Sequence, residues 1–176
     1  MRTIALFTTG GTIEKVYDER NGVLENQRSI IDRMLARLRL AGTHVRAMNL
    51  LSKDSLHMTD ADRAVVLSAV QAALLTDVAG IVIGHGTDTL HLTGELLCKA
   101  LPAPRCPIVL TGAMRPFEMR RSDALQNLTE AIFATGVVSP GVYCVFHGQA
   151  LRFPGVQKNR ELGTFQYAAH ASTPRD

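Results

Sequence analysis

Phe7-Thr8-Thr9-Gly10-Gly11-Thr12-Ile13-Glu14 grows out of the first apolar run of the chain, Ile4-Ala5-Leu6-Phe7. Four apolar residues in a row, stopped by turn residues, read as a fully buried strand. Two adjacent glycines remove both Cβ atoms where that strand ends. The backbone can turn sharply there, and a ligand can approach it closely. Thr12 then carries a hydroxyl at the carboxyl end of a strand, the edge at which open α/β sheets hold their ligands. A plain strand-to-loop turn with one polar residue fits the same letters. A second stretch of the same kind decides between them.

Working outward, Glu14 to Gln27 is polar and without an apolar period, and it reads as a loop placed to act as a lid. Ser29 reads as an N-cap with Asp32 three residues on, and Ile30, Ile31, Met34, Leu35 and Leu38 follow at helical spacing until Gly42. Val45 to Leu51 is a second strand, followed by the polar loop Ser52 to Met58. Thr59 caps the next helix, which carries Val65, Leu67, Val70, Ala73 and Leu74. Ala79 to Ile83 is a third strand and ends on Gly84-His85-Gly86-Thr87-Asp88-Thr89. A helix from Leu90 to Leu101 stops before Pro102.

Pro107 to Thr111 is a fourth strand, ending on Gly112-Ala113-Met114-Arg115-Pro116. Ser122 caps a helix through Leu125, Leu128, Ile132 and Phe133, closed by Gly136, and Val142 to Phe146 is a fifth strand. Beyond His147, Ala150 to Phe153 and Thr164 to Tyr167 read as a hairpin or an irregular arm. Strands alternating with helices predict an α/β fold, a three-layer doubly wound and mostly parallel sheet with right-handed crossovers. Thr12, Asp54-Ser55, Thr87-Asp88 and Gly112-Ala113 then project from one edge of that sheet.

Bulk composition narrows the class. The 176 residues suit one domain, read as 1–176, and the balance of 46% hydrophobic to 20% charged residues is that of a globular chain. The net charge of +3 is without the dense basic and aromatic patterning of a nucleic-acid surface, since only 5% of residues are aromatic. Cys98, Cys106 and Cys144 are scattered and form no C-x-x-C pair, so a zinc site or a disulfide framework is not expected. With no apolar run long enough to span a bilayer and no leader-like segment, the expectation is a cytoplasmic protein with no membrane partner.

The strand ends then have to be matched to a chemistry. The Walker pattern fails because no Gly-Lys-Ser/Thr occurs, and Gly84-x-Gly86 has Thr89 where a dinucleotide loop needs its third glycine. No cofactor is expected. No His-x-x-x-His or His plus carboxylate spacing suggests a metal. Amide or ester cleavage needs a nucleophile, a base and oxyanion donors. Thr12 offers the first, Thr87 and Asp88 a second hydroxyl and a carboxylate. Lys158 is either a base, where burial favours its neutral amine, or an ordinary surface lysine. His85, between two glycines, is either a base or a turn residue satisfied by the backbone. Gly-x-Ser-x-Gly is missing, which weakens a Ser-His-Asp reading.

Thr9-Gly10-Gly11-Thr12-Ile13 together with His85-Gly86-Thr87-Asp88-Thr89 resembles the two signatures of the bacterial-type L-asparaginases. Leu110 to Pro116, Ser122-Asp123 with Asn127-Leu128, and Asp54-Ser55 with Met58-Thr59 extend the resemblance over roughly Ile4 to Phe165. It implies Thr12 as the nucleophile on a side-chain amide. Thr87, Asp88 and Lys158 would form the proton-transfer group, and Thr87 would help activate water. Asp88 would also meet the substrate's α-ammonium and Ser55, beside Asp54, its α-carboxylate. Backbone N–H groups near Thr12 and Thr87 would make the oxyanion hole, Ala113 would contact the leaving amide through its backbone, and Gly11 and Gly86 would line the substrate site. Tyr17, in the lid, would assist the nucleophile.

Members of that family ordinarily continue into a second, smaller domain that lends an acidic residue to a neighbouring protomer's site. The sequence ends at Asp176, about where a linker to that domain would begin, so the second domain is expected to be absent. Leu56 stands where many members carry Gln. Both departures remove substrate contacts. A homo-oligomer, dimer or tetramer, is expected to cover the apolar face left open. The functional expectation is hydrolysis of L-asparagine to L-aspartate and ammonia, with glutaminase activity open. A non-catalytic amino-acid-binding module and an amidase subunit for transamidation of charged tRNA are the alternatives.

Overall fold

In the computed structural model residues 1–168 are described, and residues 169–176 of the expected domain lie outside them. The central sheet has the order β4-β1-β5-β6-β7-β8. Its strands are β1 (Arg2–Gly10), β4 (Thr43–Lys53), β5 (Gly80–Gly84), β6 (Pro107–Thr111), β7 (Gly141–Phe146) and β8 (Gln149–Arg152). The first five run parallel, and β8 turns back antiparallel on β7. The helices are α1 (Ile31–Leu35), α2 (Asp60–Leu74), α3 (Leu90–Ala100) and α4 (Ala124–Ala134).

The period-2 geometry of strands divides the core in two. Ala5, Phe7, Ile81, Ile83, Ile108 and Leu110 pack with Val66 and Val70 of α2 and Leu97 of α3. Their alternates Ile4, Leu6, Val82 and Val109 pack with Met34 of α1 and Leu128 and Ile132 of α4. Helices therefore cover both faces, and the expected doubly wound, three-layer sheet is present. Because both faces are covered, β5, β6 and β7 are buried at every position, as parallel strands of such sheets are.

The local reading holds best where a cap is present. Thr59 accepts from the Asp62 amide and Asp62 accepts from the Thr59 amide, a complete capping box for α2. Lys53 and the Thr59 groups bind the same carboxylate and bring Asp62 down to about 2.

Three segments depart from expectation. The helix expected from Ser29 toward Gly42 amounts to α1 alone, and it leaves through short i→i−3 turns at Arg37 and Leu38. The Ser29 hydroxyl donates to the Glu14 carboxylate and accepts from the Ile31 amide at 3.3 Å, so that side chain links the start of α1 to the loop after β1. The segment read as a featureless lid contains a β-hairpin, β2 (Val16–Asp18) paired with β3 (Val23–Glu25). Its turn is made by Asp18, whose carboxylate accepts from Arg20 N at 2.8 Å, and by Gly22 at φ +69°. In the final segment the two apolar pieces do not pair with each other: Gln149–Arg152 is β8 on β7, and the hairpin is β9 (Val156–Asn159) against β10 (Thr164–Tyr167).

Candidate active site

Carboxyl ends of β1, β4, β5 and β6 all reach one edge of the sheet, as four parallel neighbours must. β1 ends in Gly10 and Gly11 at φ +91° and +77°, a region that L side chains rarely adopt. Thr12 opens a short 3-10 turn, Thr12–Glu14, and is half-buried. The loop after β5 lies directly against this turn. A Cβ built on Gly11 would stand 2.3 Å from the Gly86 Cα, and one on Gly86 would stand 2.6 Å from the Ser55 Cβ and Oγ. Three loops are thus interlocked at contact distance, and only glycine fits between them. The loop after β6 joins by His85 N donating to Thr111 O at 2.8 Å.

Lys158 comes from far along the chain. On β9 the side chains of Val156 and Lys158 share one face, two residues apart, and Val156 is buried. The opposite register partner of Lys158 is Phe165, which is buried edge-on against Phe146 at 5.1 Å. Packing of that hairpin on the sheet directs Lys158 inward. Its Nζ donates to Thr87 Oγ1 at 2.8 Å and to Asp88 Oδ1 at 3.0 Å. Thr87 is buried, and the Lys158 side chain is only 13% exposed. An amine, a hydroxyl and a carboxylate are in direct contact in a largely dry place.

Other groups hold the loops. Glu14 is buried, accepts from Gly10 N at 3.1 Å and from the Ser29 hydroxyl, and is pushed up by burial despite those hydrogen bonds. Asn26 grips Gly11 at both backbone groups, accepting from N at 3.2 Å and donating to O at 2.8 Å. Asp123 accepts from Met114 N and Arg115 N and binds His147 Nε2 at 2.8 Å. Burial works to raise the Asp123 carboxyl, and these donors outweigh it and hold it below the usual range. Ala113, fully buried, is fixed by this scaffold and by Asn127 Nδ2 donating to Gly112 O.

His85 is a turn residue. Its Nδ1 lies 2.8 Å from Gly86 O, which can only accept, so Nδ1 carries the proton and Nε2 accepts from the Thr93 hydroxyl at 2.8 Å. Complete burial brings it down to about 4. Both nitrogens are committed and the ring is neutral, so it is not a base for this site.

On the loop after β4, Ser55 is 1% exposed and its Oγ has no partner among the described residues. Asp54 pairs with Lys15 at 2.7 Å. Burial alone would raise it, but the Lys15 and Leu56 hydrogen bonds keep it lowered. A cleft of about 580 Å³ beside Gly11 is lined by Lys15, Asn26, Lys53, Asp54 and His57; the Lys158 group does not line it. Leu56 is 63% exposed.

Among the expected site residues, the structure brings together Lys158, Thr87 and Asp88, and it stacks Gly11, Gly86 and Ser55. Gly11's amide is already engaged by Lys53 O and Asn26, which removes it as an oxyanion donor. Tyr17 is not brought to the group. It is 57% exposed and lines a separate cleft of about 450 Å³ with Arg28, Ile30, Arg33 and Glu118. Sequence reasoning did not find Asn26, the Lys15–Asp54 pair or Arg160, whose guanidinium lies 2.9 Å from Asp88 Oδ1. None of these has a local signal, because each partner is remote in the chain or lies in a turn. No cluster of metal-ligating side chains occurs among the described residues, and no helix there is long and apolar enough to cross a membrane.

A doubly wound α/β domain with a lysine, a hydroxyl and a carboxylate joined at the carboxyl edge of its sheet defines the class. The chain belongs to the asparaginase family: the description "Asparaginase, N-terminal" matches residues 3–173. The L-asparaginase of Thermococcus kodakarensis is 32% identical over 155 residues, which take in 88% of this chain and 47% of that protein. A glutamyl-tRNA(Gln) amidotransferase component of Methanococcus vannielii is 31% identical over 153 residues, 85% of this chain and 35% of that one. The solved thermostable L-asparaginase from Thermococcus kodakarensis, 31% identical, matches with a TM-score of 0.86 over 96% of this chain and 52% of that chain. A probable cytoplasmic L-asparaginase from Campylobacter jejuni, 24% identical, shares the fold at 0.81 over 95% of this chain and 52% of its own. The chain spans about a third to a half of the length of these curated relatives.

Proposed function

We propose that this domain carries the catalytic machinery of an amidohydrolase that converts L-asparagine to L-aspartate and ammonia. The observation that carries the proposal is Lys158 Nζ in hydrogen bonds to both Thr87 Oγ1 and Asp88 Oδ1, on the loop that touches the Gly11–Thr12 turn. In this reading Thr12 Oγ attacks the side-chain carbonyl carbon, and its proton passes through the Thr87–Lys158 group to the departing nitrogen. The C–N bond breaks, ammonia leaves, and an ester remains on Thr12. Water, positioned by Thr87, then attacks the ester and returns a proton to Thr12 Oγ as L-aspartate departs.

With the Gly11 amide engaged, the oxyanion falls to the Thr12 and Thr87 amides, beside Ala113. The buried, unpartnered Ser55 hydroxyl suits the α-carboxylate, since a buried polar group without a partner is costly unless a ligand supplies one. Three free thiols fit a reducing, cytoplasmic setting. Self-association through the face around exposed Phe133 and Val137 belongs to the same proposal, and sedimentation of the purified chain tests it.

Ammonia release from L-asparagine, L-glutamine and D-asparagine, by the native chain and Thr12→Ala, is the deciding experiment. The expected result is release from L-asparagine, reduced by about 10⁴-fold or more in Thr12→Ala, the scale of losing a nucleophile. No release from a folded native chain would overturn the reading. The relatives named as components of glutamyl-tRNA(Gln) amidotransferase favour a second reading, an amidase subunit whose ammonia serves a partner enzyme. In that case release would rise when such a partner is added.

A further inference from the structure

Asp88 Oδ1 faces two cations at once, accepting a hydrogen bond from Lys158 Nζ at 3.0 Å and forming an ion pair with Arg160 at 2.9 Å. The proposed reaction needs only one of them. Lys158 is inward and also holds Thr87, whereas Arg160 sits in the turn between β9 and β10 with its side chain 70% exposed. One carboxylate against two cations leaves the corner with one net positive charge. In the reading above, the same carboxylate is what a free amino acid's α-ammonium would meet. That ammonium would be a third cation beside a carboxylate already facing two on Oδ1.

We propose that Arg160 is a specificity-determining residue, which occupies Asp88 in place of a substrate ammonium and turns the site toward β-amide acids whose α-amine is absent or acylated. The inference rests on the site being one for amides. An α-ammonium at Asp88 has to compete with the guanidinium for the charge of that carboxylate. A substrate lacking that charge leaves the Asp88–Arg160 pair intact. An acylated amine gains further, because its carbonyl oxygen only accepts and the guanidinium is a fork of donors with more N–H groups than one carboxylate oxygen can take. Arg160 acts on recognition through Asp88 and is not placed in bond making or breaking. Lys would be a weaker occupant than Arg, since a flexible ammonium matches a carboxylate less well than a planar guanidinium does.

The test compares L-asparagine with succinamate, the same β-amide acid without the α-amine, in the full chain and in Arg160→Gln and Arg160→Lys. Arg160 is an exposed turn residue, so both variants should fold. In Arg160→Gln the ratio of kcat/KM for L-asparagine to that for succinamate is expected to rise by about tenfold, the scale of one displaced charge-assisted hydrogen bond. The change should appear in KM, with Arg160→Lys in between. An unchanged ratio with activity intact would overturn the inference and leave the proposed function standing. Should the folded chain release no ammonia from either amide, the proposed function fails. Calorimetric titration with L-aspartate and with succinate then reads recognition alone. A tenfold shift of their Kd ratio in Arg160→Gln supports the inference, and an unshifted ratio, or binding of neither acid, overturns it.

Discussion

Lys158, Thr87 and Asp88 at the mouth of β5 and Tyr17 on the β2–β3 hairpin were expected to serve one reaction, yet they are built in opposite ways. At the first place Thr87 is buried, three loops are in contact through glycines, and the one flexible side chain is pinned by two hydrogen bonds. At the second, two three-residue strands pair with each other alone, and Val23, Leu24 and Tyr17 are exposed. A two-stranded hairpin of that kind is weak by itself, and this one is tied down at its ends, by Lys15 to Asp54 and by Asn26 to Gly11. The contrast separates a corner set by buried contacts from a segment held at its base, by the Tyr17 amide on Glu118 and by Val16 against the core, with its outer residues exposed. Any part Tyr17 plays has to come through movement of the hairpin.

The comparison breaks first at Lys158. In Lys158→Met the Thr87 hydroxyl and the Asp88 carboxylate lose their common donor, and kcat for ammonia release is expected to fall by about 10²–10⁴-fold, the range for a lost proton-transfer group. A loss under tenfold would mean that the corner is structural and the chemistry lies elsewhere. Gly86→Ala probes the interlock itself. The new methyl would meet Ser55 at 2.6 Å, so overpacking of about 1–3 kcal/mol is expected. Thermal unfolding should show it as a fall of roughly 2–12 °C for a domain of this size. An unchanged Tm would show the loops to be as loose as the hairpin.

His85 sharpens the contrast through pH. Burial lowers it to about 4 from an ordinary 6.5, so between those values the unfolded chain takes up a proton that the folded chain does not. Stability attached to this group is complete above pH 6.5 and declines as pH falls toward 4. His85→Gln should flatten the Tm profile across that window, and a profile identical to native would place the destabilising protonation in another group. Tyr17→Phe carries the smallest expectation, at most about tenfold in kcat, the worth of one hydrogen bond made after closure. A much larger loss would show that the hairpin is as preorganised as the corner.

Much of this is legible along the chain, and the reason differs element by element. β6 falls on Pro107–Thr111 as read, because an unbroken apolar run between turn residues has one sensible place, buried on both sides. The capping box at Thr59 is local chemistry over four residues, so the pattern marks the start of α2 correctly. The helix after Ser29 is shorter than its pattern predicts. Its periodic residues Ile31 and Met34 are indeed buried, and the Ser29 hydroxyl both accepts from the Ile31 amide at 3.3 Å and donates to Glu14, one residue ahead of the Ile30 cap position. The hairpin at Val16 to Glu25 escapes a pattern-based reading although Asp18 and Gly22 are turn formers. Its strands, Val-Tyr-Asp and Val-Leu-Glu, are three residues each and too short for an apolar period to register.

By itself the sequence determined which strand ends carry hydroxyls, carboxylates and glycines. Parallel strand order then obliged Thr12, Ser55, Thr87 and Ala113 to meet at one edge, because strand direction and alternation are local properties of the backbone. Only the tertiary structure decided which groups touch. Lys158 reaches Thr87 across 71 positions because Phe165 packs on Phe146. Arg160 joins the same carboxylate from an exposed turn. His85 is a neutral wedge with both nitrogens committed. Such partnerships depend on packing between elements remote in the chain, and no local pattern of residues encodes them.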